Sequence, residues 1–302
     1  MKSFRIAALQ AAAISSNEET RIANNLSWTV EQLRNLSRYN VDVVCLPEEF
    51  ACSWMPSIEP RFAETVDGHT LSTICSIAAE LHMAILCPIL EQDSRQCFNT
   101  VFFIDRSGSI VGKYRKIHPM ESEIQAGILP GSNEVTIIEW EEIRIGIQIC
   151  FDANWPQDWL RLKQAGADII FFCSAFSAGR LLESYATILR IPIVAATWCP
   201  HCRIYDRCGR IIAHQSPYYP YAIADMPIKQ PLFHLDFQTD KVETIRRQYP
   251  EISVDIHNGE GTWTIAGNNF ESIIEAHQLV DVDDYLRRAE KAQKQSTHFQ
   301  QG

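Results

Sequence analysis

Two spacings of apolar residues alternate along the chain. Residues 143–149 (IRIGIQI) place isoleucine at every second position, which is the pattern of a strand with one strongly apolar face. Residues 17–39 place apolar side chains three or four positions apart, which predicts a helix. Short apolar runs at 41–46, 84–89 and 168–173 are typical of strands buried on both faces. Strands that alternate with helices, mixed with hairpins, predict an α/β protein with helices on the outer faces of its sheet.

The same spacings predict most of the other elements. Helices are expected at 70–81, 155–165, 183–189 and 240–249, and antiparallel pairs at 99–114, 135–149 and 203–214. No linker rich in glycine, proline or serine divides the chain. We therefore expect one domain at residues 1–268. Residues 269–302 are expected to form a C-terminal helical tail that packs on its own or a partner subunit, with an amphipathic segment at 270–292.

Composition and charge argue against some classes of binding partner. The formal net charge of −10 and the absence of a basic stripe argue against nucleic acid and anionic membranes. The sequence has no signal-peptide pattern, and no apolar run approaches the roughly 18 residues of a membrane helix. Ten cysteines in such a chain are expected to be reduced thiols, mostly packed. These features predict a cytoplasmic protein.

Reactive side chains follow several of the predicted strands. Cys150 lies between the strand at 143–149 and a helix start marked by Pro156. Glu48 follows the apolar run at 41–46, and Lys116 follows the second strand of a hairpin. A thiol, a carboxylate and an ammonium on one rim would supply a nucleophile, a base and a stabiliser of negative charge. Each residue taken alone also has a structural explanation, as a packed thiol or a surface charge.

Taken together, these motifs resemble those of the nitrilase, or carbon–nitrogen hydrolase, superfamily. The matching stretches are 43–48 (VVCLPE), 99–118 (NTVFFIDRSGSIVGKYRKIH), 130–131 (PG) and 146–152 (GIQICFD). The resemblance covers about residues 4–265 and includes the order Glu, Lys, Cys. It implies a four-layer α-β-β-α sandwich of two stacked mixed sheets. It also implies a homodimer or higher homo-oligomer.

The resemblance implies a reaction without a cofactor or a metal. Cys150 would attack a small amide or N-carbamoyl compound and form a thioester, with Glu48 carrying protons. Lys116 and the backbone N–H after Cys150 would stabilise the oxyanion, and Lys116 is expected to lower the pKa of the thiol. Many members carry a second glutamate before the Pro-Gly pair. Glu123 fits this position better than Glu121, although both could be loop charges.

The chain departs from the family pattern after the nucleophile. Members that act on carboxylate-bearing substrates often have an arginine there, but residues 152–157 (DANWPQ) contain no cation. This absence weakens the interpretation as an amino-acid decarbamoylase or ω-amidase. Trp155 could also simply pack at the helix start. The residues expected to line the substrate pocket are Trp54, Phe151, Asn154, Trp155, Phe176 and Trp198.

Other functions remain open at this stage. A nitrilase would use the same three residues, although the residues after the cysteine differ from those usual in nitrilases. An acyltransferase would pass the thioester to an amine. A catalytically silent scaffold would bind partners through its surface and tail. Cys199 and Cys202, with Cys208 and His214 beyond them, raise the further alternative of a zinc site.

Overall fold

The computed structural model describes residues 3–12, 17–228, 230–257 and 259–299, which form two compact units. The larger unit spans Ser3–Ile228, and the smaller contains the described residues after it. The division therefore falls earlier than the predicted boundary at residue 268. The physical reason is that residues 232–266 form a small sheet with a core of its own. Residues 1–2 and 300–302, at the ends of the predicted domain and tail, lie outside the described residues.

The first sheet of the larger unit has six strands. They are Ser3–Leu9 (β1), Val43–Cys45 (β2), Ala84–Asp93 (β3), Gln96–Ile104 (β4), Ile110–Arg115 (β5) and, much later in the chain, Tyr221–Pro227 (β12). Their order is β12-β1-β2-β3-β4-β5. The central strands β1, β2 and β3 are parallel, and the outer pairs are antiparallel.

The second sheet repeats this arrangement. Its strands are Ile138–Trp140 (β6), Ile143–Ile149 (β7), Ile169–Ser174 (β8), Ile193–Thr197 (β9), Arg203–Tyr205 (β10) and Ile211–His214 (β11). Their order is β11-β10-β9-β8-β7-β6, with β7, β8 and β9 parallel and the outer pairs antiparallel. In both sheets, the parallel strands therefore place their carboxyl ends at the middle of one edge.

The two sheets stack face to face through their alternating apolar residues. On β7, Ile145, Ile147 and Ile149 share one buried cluster with Ile6 and Val101 of the first sheet. The intervening residues of β7 point to the opposite face, because side chains alternate along a strand. The period-two pattern of the sequence thus corresponds to the central, sheet-to-sheet core.

Helices cover the outer faces of both sheets. The larger unit contains Glu18–Ser37 (α1), His69–Leu81 (α2), Glu121–Ala126 (α3), Pro156–Gln164 (α4) and Gly179–Leu189 (α5). Helices α1 and α2 share a core with the first sheet, and α4 and α5 share one with the second. This confirms the predicted four-layer sandwich. The short helix α3 falls in a stretch that the sequence pattern leaves as loop.

The smaller unit is a three-stranded antiparallel sheet with helices. Its elements are Leu232–His234 (β13), Thr239–Gln248 (α6), Ser253–His257 (β14), Thr262–Ala266 (β15), Phe270–Ala276 (α7) and Val282–Phe299 (α8). Trp263 and Ile265 of the central strand pack with Ile245 and Phe270. The amphipathic segment at 270–292 contains α7 and the start of α8, not one helix. Asp281, just before α8, accepts the N–H of Asp283 (2.8 Å) and so caps the start of that helix. Among the residues that the structure describes, no helix combines the length and apolar character needed to cross a membrane.

Gly131 holds the segment after α3 against the end of β5. Its N–H donates to the carbonyl oxygen of Lys116 (2.8 Å). A Cβ added here would lie 2.5 Å from the carbonyl oxygen of Arg115 and 2.9 Å from its carbonyl carbon, so backbone would have to move. We expect Gly131→Ala to lower the free energy of unfolding by about 2 kcal/mol, measured by urea denaturation.

The matched control is Gly259→Ala, because a Cβ at that position would meet no heavy atom within 4 Å. Its free energy of unfolding should change by less than about 0.5 kcal/mol. Equal effects of the two substitutions would contradict the close approach described for Gly131.

Candidate active site

Cys150 lies where β7 ends and the chain enters a 3-10 helix, Cys150–Asn154, that leads into α4. Its φ of +45° is in the left-handed region, which costs a non-glycine residue roughly 1–2 kcal/mol. Such strain persists only where the surrounding structure fixes the chain, and it is common at functional sites. The side chain is 5% exposed. The predicted strand-to-helix turn therefore holds the thiol in one position.

The buried ammonium of Lys116 joins two carboxylates. Its Nζ lies 2.8 Å from Oε1 of Glu48, and 3.0 Å and 2.8 Å from the two oxygens of Glu123. The Lys116 side chain is fully buried, and the two glutamates are nearly so. Because an unpaired buried charge is very unfavourable, the buried ammonium and the two carboxylates each need the opposite charge beside them.

Glu48 is held from both sheets. Its Oε1 accepts a hydrogen bond from the side-chain amide of Asn99 on β4 (2.9 Å). Its Oε2 accepts the backbone N–H of Ala175, just after β8 (3.0 Å). Sequence reasoning did not assign either residue a role. Asn99 is a buried polar residue in a mostly apolar strand, and it is the one signal in the sequence that could have indicated these contacts. The backbone N–H of Ala175 leaves no trace in the sequence.

The structure distinguishes the two candidate glutamates on α3. Glu123 is buried and faces Lys116, whereas Glu121 is exposed. Glu123 also accepts the backbone N–H of Met120 (2.6 Å), so its carboxylate caps the helix that carries it. A helix of this length has few internal hydrogen bonds, and the contact with Lys116 helps to fix it in place.

Burial and charge act in opposite directions on these groups. Burial by itself would lower the pKa of Lys116, but the neighbouring negative charges, led by Glu48, outweigh it and raise that pKa. Burial raises the pKa of the Cys150 thiol, and Glu48 raises it further; Lys116 lowers it by less. The predicted lowering by Lys116 is therefore present, but burial and Glu48 outweigh it, so the net shift of the thiol pKa is upward.

Asp152 ties the cysteine turn to the segment that carries Lys116. Its Oδ2 accepts the backbone N–H of Ile149 (3.0 Å) and the hydroxyl of Tyr114 (2.9 Å). Its Oδ1 accepts the backbone N–H of His118 (2.9 Å). Tyr114 and His118 lie on either side of Lys116 in the sequence, so this fully buried carboxylate fixes the lysine and the cysteine relative to each other.

A cavity of about 710 Å³ opens beside these groups. Its walls are largely apolar and come from five segments: residues 48–59, helix α3 with the residue before it, and the turns after β7, β8 and β9. The lining residues are Glu48, Glu49, Met55, Pro56, Ser57, Ile58, Glu59, Met120, Ser122, Glu123, Ala126, Cys150, Phe151, Asn154, Ala175, Phe176 and Trp198.

Four of the six predicted pocket residues are among them: Phe151, Asn154, Phe176 and Trp198. The other two, Trp54 and Trp155, do not line it. The Trp54 ring is 5.7 Å from that of Trp198, and the Trp155 ring stacks on His118 at 3.8 Å. Sequence reasoning missed residues 55–59 and the lining side chains of α3 other than Glu123, because neither stretch shows a periodic apolar pattern.

The polar members of the wall are acidic or neutral. Among the described residues that line the cavity there is no lysine, arginine or histidine, in keeping with the cation-free stretch after Cys150. Elsewhere in the described chain, no group of three or more histidine, cysteine or acidic side chains is arranged to hold a metal ion. Cys202, from the alternative zinc motif, is buried with its sulfur 3.7 Å from the Thr197 hydroxyl.

Residues 5–229 match the carbon–nitrogen hydrolase family. The chain belongs to this family. The match ends next to the last residue of the larger unit, so the smaller unit lies outside it. The carbon–nitrogen hydrolase match therefore covers the sandwich and includes Glu48, Lys116, Glu123 and Cys150.

Curated proteins similar to this chain carry several names. The beta-ureidopropionase of Arabidopsis thaliana is 31% identical over 153 residues, which cover 47% of this chain and 37% of that protein. The omega-amidase of Homo sapiens is 25% identical over 185 residues, which cover 59% of this chain and 65% of that protein. The chain thus spans between about a third and two thirds of the length of these relatives.

Among solved structures, an amidase from Nesterenkonia sp. has a similar fold. The two superpose with a TM-score of 0.65 and 18% sequence identity, covering 82% of this chain and 96% of the amidase. At this identity the likeness concerns the fold, and it supports the two stacked sheets with outer helices described above.

We expect Asp152 to make folding stability depend on pH. Burial raises the pKa of Asp152 to about 6, although its three hydrogen bonds lower it. Between 3.8, its ordinary value, and about 6, the unfolded chain ionises while the folded carboxyl keeps its proton. The contribution of Asp152 is therefore fully present below the lower value and is lost as the pH rises through the upper one. The loss corresponds to about 3 kcal/mol.

The measurement is urea unfolding of the wild type and Asp152→Asn across this pH range. The free energy of unfolding of the wild type minus that of the variant should fall as the pH rises, and then level off. A difference that stays constant would show that Asp152 ionises normally in the folded protein.

Proposed function

We propose that this protein hydrolyses the C–N bond of a small amide or N-carbamoyl compound through a thioester on Cys150. The observation that carries the proposal is the pairing of Lys116 with Glu48 and Glu123 beside a buried cysteine in the wall of a cavity. These groups are the base, the cation and the nucleophile that acyl transfer requires. The names of the relatives, a beta-ureidopropionase, an omega-amidase and an amidase, agree with this chemistry.

In the first step, the sulfur of Cys150 forms a bond with the amide carbon while Glu48 accepts the thiol proton. Because burial and Glu48 raise the pKa of the thiol, the proton leaves during the attack and not before it. The carbonyl oxygen becomes an oxyanion. Lys116 and the backbone N–H that follows Cys150 stabilise it, in a site where little water weakens the interaction.

In the second step, the C–N bond breaks and Glu48 gives its proton to the leaving nitrogen. Water then attacks the thioester carbon while Glu48 takes a proton from the water molecule. The S–C bond breaks, and the acid is released. Glu48 returns that proton to the sulfur. Lys116 keeps its charge throughout, because the charges around it, led by Glu48, outweigh its burial and raise its pKa.

A variant of the Nesterenkonia amidase supports a nucleophilic role of the cysteine. Its structure shows the acetamide moiety of fluoroacetamide covalently added at the active-site cysteine. The cysteine of this fold can therefore form a bond to a small amide compound, and we assign the same role to Cys150 here.

The proposal is tested by ammonia release from a panel of amides, N-carbamoyl compounds and nitriles. We expect the wild type to release ammonia from at least one amide or carbamoyl compound and Cys150→Ala to release none, because no other group replaces the nucleophile. Release from nitriles alone would favour the nitrilase alternative. A wild type that releases nothing, and whose Cys150 does not react with iodoacetamide, would refute the proposed hydrolase.

Glu123 and Glu121 provide a matched pair on one helix. Glu123→Gln removes one of the two charges that pair with Lys116, and we expect kcat/KM to fall by about a hundredfold. Glu121→Gln changes an exposed carboxylate and should alter kcat/KM by less than about twofold. Similar losses in the two variants would exclude a specific role of Glu123.

A further inference from the structure

Glu49, the residue after Glu48, is an acid for which the proposed reaction has no use. Its side chain is 3% exposed, and it lines the cavity. Its φ of +45° is in the left-handed region, so the backbone is held there at a cost of roughly 1–2 kcal/mol. Sequence analysis gives no role to this position, which is simply the second of two consecutive glutamates.

One oxygen of the Glu49 carboxyl lacks a hydrogen-bond partner among the described residues. This atom, Oε1, is buried. Leaving a buried oxygen unpaired costs roughly 1–3 kcal/mol, so such an atom needs an explanation, such as a bound water molecule, local strain or a functional role. A carboxyl group in this position needs a hydrogen-bond donor from outside the polypeptide.

Two spaces adjoin Glu49. One is a cavity of about 10 Å³ on the side of Cys52 and Glu64, at the lower limit for one water molecule. The other is the substrate cavity of about 710 Å³, which also contains Cys150 in its wall. Only the larger space can admit a donor group that belongs to a substrate.

The charges around Glu49 favour such a donor. Glu48 and Glu123 share the single ammonium of Lys116, so this group of three has a net negative charge. Burial raises the pKa of Glu49 well above its usual range, and Glu48 and Glu123 raise it further against the opposing effect of Lys116. Glu59, at the edge of the cavity, is paired with Arg61 (3.0 Å). A substrate carboxylate would therefore meet negative charge and no available cation.

We propose that Glu49 determines the specificity of the cavity by accepting a hydrogen bond from a hydroxyl or ammonium group on the substrate. The substrate class is then an amide, or N-carbamoyl compound, whose apolar chain carries a hydrogen-bond donor and no carboxylate. This inference rests on the proposed function for its substrate type. When the donor is a hydroxyl group, Glu49 stays protonated. When the donor is an ammonium group, Glu49 releases its proton to solvent and forms an ion pair with the ligand.

The test measures binding without turnover. The ligands are straight-chain amides of several lengths whose far end is methyl, hydroxyl, ammonium or carboxylate. Their dissociation constants are measured by calorimetry in Cys150→Ala, alone and combined with Glu49→Met or Glu49→Gln. At the preferred length, we expect a hydroxyl or ammonium end to bind at least about tenfold more tightly than a methyl end, and carboxylate to bind most weakly.

The two substitutions separate hydrogen bonding from shape. Glu49→Met keeps the size of the side chain and should bring the donor-to-methyl ratio close to one. Glu49→Gln keeps a neutral acceptor, so it should retain the preference for hydroxyl and lose that for ammonium. Glu121→Gln, an exposed charge on α3 outside the cavity, is the control and should leave every ratio unchanged.

Three outcomes would overturn the proposal: tighter binding of methyl than of either donor at every length, no binding of any amide, or a donor preference that survives in Glu49→Met. These outcomes concern binding alone. Ammonia release by the wild type is scored separately, so a failure of the hydrolase proposal is distinguishable from a failure of the role of Glu49.

Discussion

The larger unit depends on a single buried cation. The ammonium of Lys116 has no access to water, and in a medium of low dielectric constant its charge is stable only beside opposite charge. Glu48 and Glu123 supply that charge from a strand end and from a short helix. Removing Lys116 would leave two buried carboxylates without a counter-charge. The first sheet, α3 and the segment around Gly131 are therefore constrained to meet at this point, and the cysteine turn of the second sheet is brought to the same place.

The same electrostatics decide the state of the nucleophile. A lysine beside a cysteine usually favours a thiolate, but here burial and the Glu48 carboxylate outweigh the ammonium and raise the pKa of the thiol. Both effects favour the protonated form of the thiol. In the proposed reaction, Glu48, fixed by Asn99 and Ala175, accepts that proton. An arrangement with a neutral thiol and a paired carboxylate limits unwanted reactions of the sulfur, because only the thiolate is strongly nucleophilic.

The cavity combines apolar walls with an excess of carboxyl groups. Its apolar part, from residues such as Phe151 and Phe176, would bind a hydrocarbon chain, whereas Glu49 offers one unpaired acceptor. Nothing cationic in the described wall would bind a carboxylate. This places the specificity of the site in the residues after Glu48 and on α3, which are separate from the strands that hold the reacting groups. A fold can change its substrate in this way while its chemistry stays the same.

The sequence by itself determined the layered α/β fold and the strand ends at which Glu48, Lys116 and Cys150 lie, because apolar periodicity and local motifs follow from the chain alone. It also favoured Glu123 over Glu121. Only the tertiary structure decided the net pKa of Cys150, the roles of Asn99 and Ala175, and the burial of Glu49. These properties depend on which groups from distant segments meet and on how much water is excluded. The spacing of residues along the sequence shows neither. The boundary after Ile228 likewise follows from packing, since a small sheet with its own core leaves no linker in the sequence.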